Sequence, residues 1–337
     1  MKKLTIFTAI IMLSANSHAA KTQSPPLIKH SNVKAHSTCF GFSYEAWQAT
    51  MKNKYTRRLK SDEKVDMAMK RFVKWFPKSQ FNEYKNNLAC QHFTYSVDGL
   101  EVDGYVIKPK SHEGKLPVLI YNRGGNGSFG NMTLGPLMAN LFPLADKGFV
   151  IIGSQYRQSK KPQVPLDEFG GADVNDVVAL NELIPHIHGA DSQRVGMYGA
   201  SRGAMQSYLA VKKMPNIKAL AAIAGVSDLA KQLERRPEME RVYKHRIPNY
   251  KANKQHTLNQ RSVLHWANTL PKNTPILLLH GTDDRRVSHE QSVELAKAFA
   301  LHDIEHKLVL YPDDYHNLKL NKKESFEELA NWFNAYL

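Results

Sequence analysis

Ser201 stands between Gly199 and Gly203, with an apolar run, Arg194 to Tyr198, ahead of it and an alanine-rich segment ending at Pro215 behind it. Small residues two before and two after a serine let a strand turn sharply into a helix, so that the hydroxyl stands clear of the backbone with a helix N-terminus behind it. The five residues alone are a common accident. They gain meaning from the strand before, the helix after, and partners further along the chain. A serine hydroxyl is a poor nucleophile unless an imidazole takes its proton, and that imidazole needs a carboxylate to fix its tautomer. Asp283 and Asp284 follow the apolar run Pro275 to His280, and His316 follows the run His306 to Tyr311. Either aspartate could serve. Of the 15 histidines, several follow the aspartates, but His289 opens a helix, His302 lies near the end of that helix and His306 begins a strand. His316 alone falls in a loop at the strand edge where the serine would also arrive.

These residues require a scaffold that delivers three strand ends to one edge. Apolar runs at 117–122, 148–154, 194–198, 218–224, 275–280 and 306–311 alternate with helical segments, the pattern of a mostly parallel sheet covered on both faces by helices. Continuous runs such as Ile276-Leu-Leu-Leu279 fit strands buried on both sides. The order Ser, Asp, His along the chain fits the α/β-hydrolase fold. With 337 residues, 42% of them hydrophobic, the chain can bury a full core, and about 250 residues suit one such domain. The last helical segment, Glu324 to Leu337, carries Phe326, Leu329, Ala330, Phe333 and Leu337 on a core-facing stripe.

From Cys90 to Leu337 the chain resembles the catalytic domains of the prolyl oligopeptidase family, which includes dipeptidyl-peptidases and acylaminoacyl-peptidases. The resemblance rests on six segments in order: the hairpin-like stretch His92–Pro109, Pro117–Gly125, Gln155-Tyr-Arg157, Gly171–Val177, Arg194–Gly203, and His280–Val287 together with the His316 loop. It implies that Asp284, four residues after the His of the His-Gly pair, is the triad carboxylate and that Asp283 is a turn residue. It also implies that Arg286 holds a substrate carbonyl, with a local pair to Asp283 or Asp314 as the alternative. The backbone N–H of Arg202 is expected to be one oxyanion donor, and the Arg123-Gly124-Gly125 loop supplies the second. Prolyl oligopeptidase has a tyrosine where Arg123 stands. The Arg123 guanidinium either points into the site as a donor or turns outward to a carboxylate, leaving a backbone N–H of the loop to act. The family's larger members carry a β-propeller ahead of the catalytic domain, and roughly 70 residues cannot build one. That departure removes the ground for carrying over the family's oligopeptide selectivity, and with it dipeptidyl specificity, from the resemblance alone.

The N-terminus reads as a signal peptide over residues 1–20: Lys2-Lys3, an apolar run from Leu4 to Leu13 too short to span a bilayer, and small residues around Ala19-Ala20. Export to a periplasmic or extracellular compartment lets the two cysteines, Cys39 and Cys90, form one disulfide. Residues 21–89 form a short helical extension. Tyr44, Trp47, Met51 and Tyr55 mark one amphipathic helix. Ser61 caps a second that carries Val65, Ala68, Met69, Phe72, Val73 and Phe76 until Pro77 ends it. The catalytic domain occupies 90–337, with a possible lid near 227–265.

The formal charge is +15, but no nucleic-acid recognition motif accompanies it and the basic residues are dispersed. Their densest stretch, Lys231 to Arg261, holds nine Lys or Arg against three Asp or Glu, a solvated surface or a preference for anionic substrates. No His-Glu-x-x-His, cysteine cluster or phosphate-cradling glycine loop is present, so neither metal nor cofactor is expected. The sequence thus points to an exported serine hydrolase, first a peptidase and alternatively a carboxylesterase or an acyl or carbohydrate esterase, acting on a peptide or small ester. A catalytically silent envelope-binding protein is the remaining class, and an intact triad argues against it. Nothing in the chain fixes the oligomeric state.

Overall fold

The computed structural model describes residues 25–157 and 167–337. The signal-peptide expectation for residues 1–20 therefore lies outside the described residues. The chain runs β1 (Val33–Thr38), α1 (Tyr44–Leu59), α2 (Asp62–Trp75), α3 (Lys78–Asn87), β2 (Leu88–Val97), β3 (Leu100–Pro109), β4 (Leu116–Asn122), α4 (Leu134–Asn140), α5 (Phe142–Asp146) and β5 (Val150–Ser154). It continues with α6 (Val174–Val178), α7 (Leu180–Leu183), β6 (Ala190–Ala200), α8 (Arg202–Val211), β7 (Ile217–Ile223), α9 (Leu229–Arg235), α10 (Met239–Arg246), α11 (Lys254–Gln260), β8 (Ile276–Gly281), α12 (Glu290–Leu301), β9 (His306–Tyr311) and α13 (Lys322–Tyr336).

The strands form one sheet in the order β1-β2-β3-β5-β4-β6-β7-β8-β9. From β5 to β9 all pairings are parallel. The β2–β3 hairpin and β1 add an antiparallel edge. Alternation along the central strands splits the core between the two faces: Val118 and Ile120 of β4 join the cluster under α6, α8 and α12, while Leu119 and Tyr121 join the one under α1–α5 and α13. Parallel strands buried on both faces need such two-sided cover, which is why their sequences are apolar without a break. The expected α/β-hydrolase architecture is the one observed, with a helical N-terminal segment.

That segment holds more than the two helices its periodicity suggests. Val33–Thr38 pairs antiparallel with β2 along the sheet edge, a placement its largely exposed residues do not announce. The second helix stops just ahead of Pro77, as expected, and Pro77 then stands at the N-cap of a further helix, α3. Ser61 caps α2 by accepting the Lys64 N–H, and Ser43 caps α1. Tyr44, Trp47, Phe72 and Phe81 pack into the same cluster as Phe142 and Leu144, so the extension shares a core with the sheet. Val73, assigned to the buried stripe, is exposed instead, because the buried arc of α2 centres on Val65 and Phe72. Cys39 and Cys90 are joined, Cα to Cα 5.4 Å, fastening the loop ahead of α1 to β2.

Candidate active site

The turn from β6 into α8 holds Ser201 at φ 57°, ψ −124°, a left-handed backbone that costs a non-glycine residue on the order of 1–3 kcal/mol and persists only where its surroundings impose it. They do so through two glycines. A Cβ on Gly199 would strike the Gly203 carbonyl, and one on Gly203 would strike the Asn122 carbonyl. The Ser201 N–H donates to Ile223 O at 2.8 Å, and Ser201 O accepts from Ala204 N–H at 3.0 Å. The serine is thereby raised at the edge where β4, β6, β8 and β9 also end.

The loop after β8 brings in Asp284 and the loop after β9 brings in His316. His316 Nδ1 lies 2.7 Å from Asp284 Oδ2. A carboxylate only accepts, so Nδ1 carries the proton and Nε2 is the nitrogen left to act as a base. Asp284 Oδ1 accepts the Arg286 and Val287 N–H groups at 2.8 and 3.1 Å. Asp283 faces Arg285 at 3.5 Å and plays no part in this set. One partner escaped the sequence: His280, fully buried, places Nε2 3.1 Å from Asp284 Oδ2 and Nδ1 2.7 Å from Ser292 Oγ. Its only sequence signal is its place four residues ahead of Asp284. Burial opposes the charged carboxylate, but the hydrogen bonds from His280, His316 and the backbone outweigh it and hold Asp284 well below the usual carboxylate range. Asp314, also buried, gathers the Tyr315, Leu320 and Asn321 N–H groups and so fixes the loop that carries His316. The two loops are stitched together by Asp283 N–H to Asp314 O at 2.9 Å.

On the β4 side, Gly124 approaches the serine so closely that an added Cβ would sit 3.4 Å from Ser201 Cβ. Arg123, placed by the sequence either in the site or out toward a carboxylate, does neither. Its side chain is wholly buried, and Nε and both Nη donate to the carbonyls of Gly124, Gly127, Phe129 and Gln155. Five bonds take all five N–H groups, so no side-chain donor remains for an oxyanion, and the loop backbone is left to provide one. Burial lowers the pKa of this guanidinium. Arg202 braces the same loop from the other side: Nη1 donates to Gly125 O at 2.8 Å, and the guanidinium pairs with Asp167 at 2.5 Å and Asp173 at 2.6 Å. Asp167 in turn accepts the Gly127 N–H at 2.9 Å. The Tyr156 ring is in contact with both guanidiniums, its centre 4.8 and 5.0 Å from them, and its hydroxyl donates to Arg123 O. The segments singled out around Arg157 and Asp176 form a buried ion pair at 2.7 Å that supports this scaffold.

Ser201 and His316 line one cavity of about 540 Å³. α9 and α10, within the 227–265 stretch expected as a lid, also line it with Gln232, Met239 and Tyr243. Arg286 also lines it, with an exposed side chain and without the pairing to Asp283 or Asp314 considered as its alternative. Its main chain is held by Asp284 and by Gln232 Nε2, which donates to Arg286 O at 2.8 Å. No cluster of metal-ligating side chains occurs among the described residues.

Residues 137–337 match the model of the prolyl oligopeptidase family. The chain belongs to that family. Among curated relatives, the Bacillus subtilis uncharacterized peptidase YtmA is 26% identical over 216 residues, which is 64% of this chain and 81% of that one. Dipeptidyl-peptidase 5 of Porphyromonas gingivalis is 25% identical over 250 residues, 68% of this chain but 35% of the relative. The acylaminoacyl peptidase of Pyrococcus horikoshii superposes with a TM-score of 0.65 at 20% identity, covering 77% of this chain and 44% of that structure, a likeness of fold. The match with this family member thus covers less than half of each of these two larger relatives.

Proposed function

We propose that the protein is a serine peptidase that cleaves its substrate through an acyl-enzyme on Ser201. The observation that carries this is the convergence of the strained Ser201 turn and the His316–Asp284 pair on one cavity. Ser201 Oγ attacks the substrate carbonyl while His316 Nε2 takes its proton; the imidazolium, stabilised through Nδ1–H by Asp284, then returns that proton to the leaving group. Water repeats the cycle on the acyl-enzyme. The developing oxyanion is received by the backbone N–H of Arg202 at the start of α8 and by a backbone N–H of the Gly124–Gly125 loop. Arg286 stands at the cavity as a donor for a further substrate carbonyl. The disulfide and the basic, apolar N-terminus support export; no helix among the described residues is long and apolar enough to cross a membrane.

The same triad opens esters, so the bond cleaved is decided by experiment. Matched amide and ester substrates are offered to the purified protein. Turnover of peptide amides supports a peptidase, and turnover confined to esters replaces it with the esterase alternative.

A further inference from the structure

The charged side chains that line the cavity are of one sign. None of the 31 acidic residues falls in the undescribed stretches 1–24 and 158–166, and none of them lines the cavity. Among the described residues four cationic side chains do: Arg202, Arg236, Arg286 and Lys322. Arg202 is engaged by Asp167 and Asp173, and Arg236 by Glu238 at 2.8 Å. Lys322 is not so matched. It opens α13, half-buried, with its ammonium 6.0 Å from the Phe326 ring centroid, in a cavity whose apolar lining includes Met132, Pro136, Leu318 and Leu329. Burial alone shifts its pKa, downward, with no contribution from any neighbouring acid. A cation withdrawn from water costs free energy unless an anion or several acceptors meet it, and here the protein offers no carboxylate. Asp283 lies in a separate recess beyond Arg286, occupied by Arg285.

We propose that the cavity selects substrates bearing a carboxylate on an apolar stem, with the carboxylate paired to Lys322. This rests on the hydrolase activity proposed above. A substrate presenting an ammonium group would find cations but no carboxylate among the described residues of these walls, whereas a carboxylate supplies the anion that Lys322 lacks. The apolar wall takes the stem, as a glutamyl-like side chain would require.

Paired chromogenic substrates identical except for Glu, Gln or Lys at one position test it on the full chain, after fluorophosphonate labelling has shown the serine to be reactive. The Glu substrate is expected to exceed its Gln twin in kcat/KM by roughly tenfold to a hundredfold, the worth of one charge-assisted hydrogen bond. That ratio should shrink as salt is raised. Lys322→Gln should bring the ratio to near one, and Lys322→Glu should turn the preference toward the Lys substrate; thermal unfolding of both variants confirms that they fold. A labelled protein that turns over Gln or Lys substrates as well as Glu, or a Lys322→Gln enzyme that keeps the Glu preference, overturns the selectivity and leaves the hydrolase standing. A protein that neither labels nor turns over any substrate overturns both.

Discussion

Arg123→Lys separates a brace from a catalytic donor. Arginine makes five bonds to the carbonyls of Gly124, Gly127 and Phe129 in the loop and of Gln155, and lies 4.8 Å from the centre of the Tyr156 ring. Lysine keeps the charge but has three donors on one nitrogen, so at least two bonds are lost and one or more buried carbonyls go unpaired. A lost charge-assisted bond costs about 1.5–3 kcal/mol, and the weakened contact with the ring adds up to about 1 kcal/mol. The expected destabilisation is roughly 3–7 kcal/mol, large beside the ~5–15 kcal/mol that holds a typical protein folded. Equilibrium unfolding in urea, followed by tryptophan fluorescence with the disulfide intact, measures it as a lower midpoint. Turnover should fall as well, because the loop beside Ser201 is displaced. If unfolding were unchanged within about 0.5 kcal/mol while kcat dropped by the roughly 10²–10³ typical of one lost oxyanion donor, the guanidinium would be acting on substrate and the brace would be refuted.

The neighbouring aspartates should behave unequally. Asp284→Asn should lower kcat by about 10⁴, as loss of the orienting carboxylate does in serine proteases, and Asp283→Asn should change it less than about threefold; steady-state kinetics showing the reverse order would reassign the carboxylate. Because the folded-state pKa of Asp284 is depressed, its stabilisation is present above the unfolded value near 3.9 and is lost as pH falls toward the folded one. The excess stability of wild type over Asp284→Asn should therefore shrink between about pH 5 and pH 2, as unfolding curves at several pH values would show. Reduction of the Cys39–Cys90 bridge, which closes a separation of 51 residues, should lower stability by about 4 kcal/mol in the chain-entropy account. Titration of two free thiols in denatured, unreduced protein would contradict the pairing.

The sheet and the site geometry were legible for different reasons. Strands β4 to β8 are largely buried and advertise themselves as apolar runs, the half-buried edge strand β9 still shows Leu308 to Leu310, and the Gly-x-Ser-x-Gly turn is local because backbone collisions at Gly199 and Gly203 admit little else. β1 was hidden because an edge strand has few buried residues to betray its period. Arg123 was misplaced because its partners are main-chain carbonyls of the loop and of Gln155, groups every residue possesses and no sequence pattern marks. His280 was overlooked as a support for Asp284 because it sits inside an apolar strand, where a histidine reads as core; its role depends on Ser292 in α12, a contact made only by the fold. Asp284 was separable from Asp283 through family resemblance, and the 2.7 Å approach to His316 now gives a physical reason.

Labelling by a fluorophosphonate, which reacts only with a serine activated by its neighbours, tests the central claim most directly. Wild type should label stoichiometrically. Ser201→Ala, a small change at a partly exposed position, should not label although it unfolds like wild type, and His316→Ala should label far more slowly. Undiminished labelling of Ser201→Ala, or a wild-type protein that does not label at all, would remove Ser201 as the nucleophile.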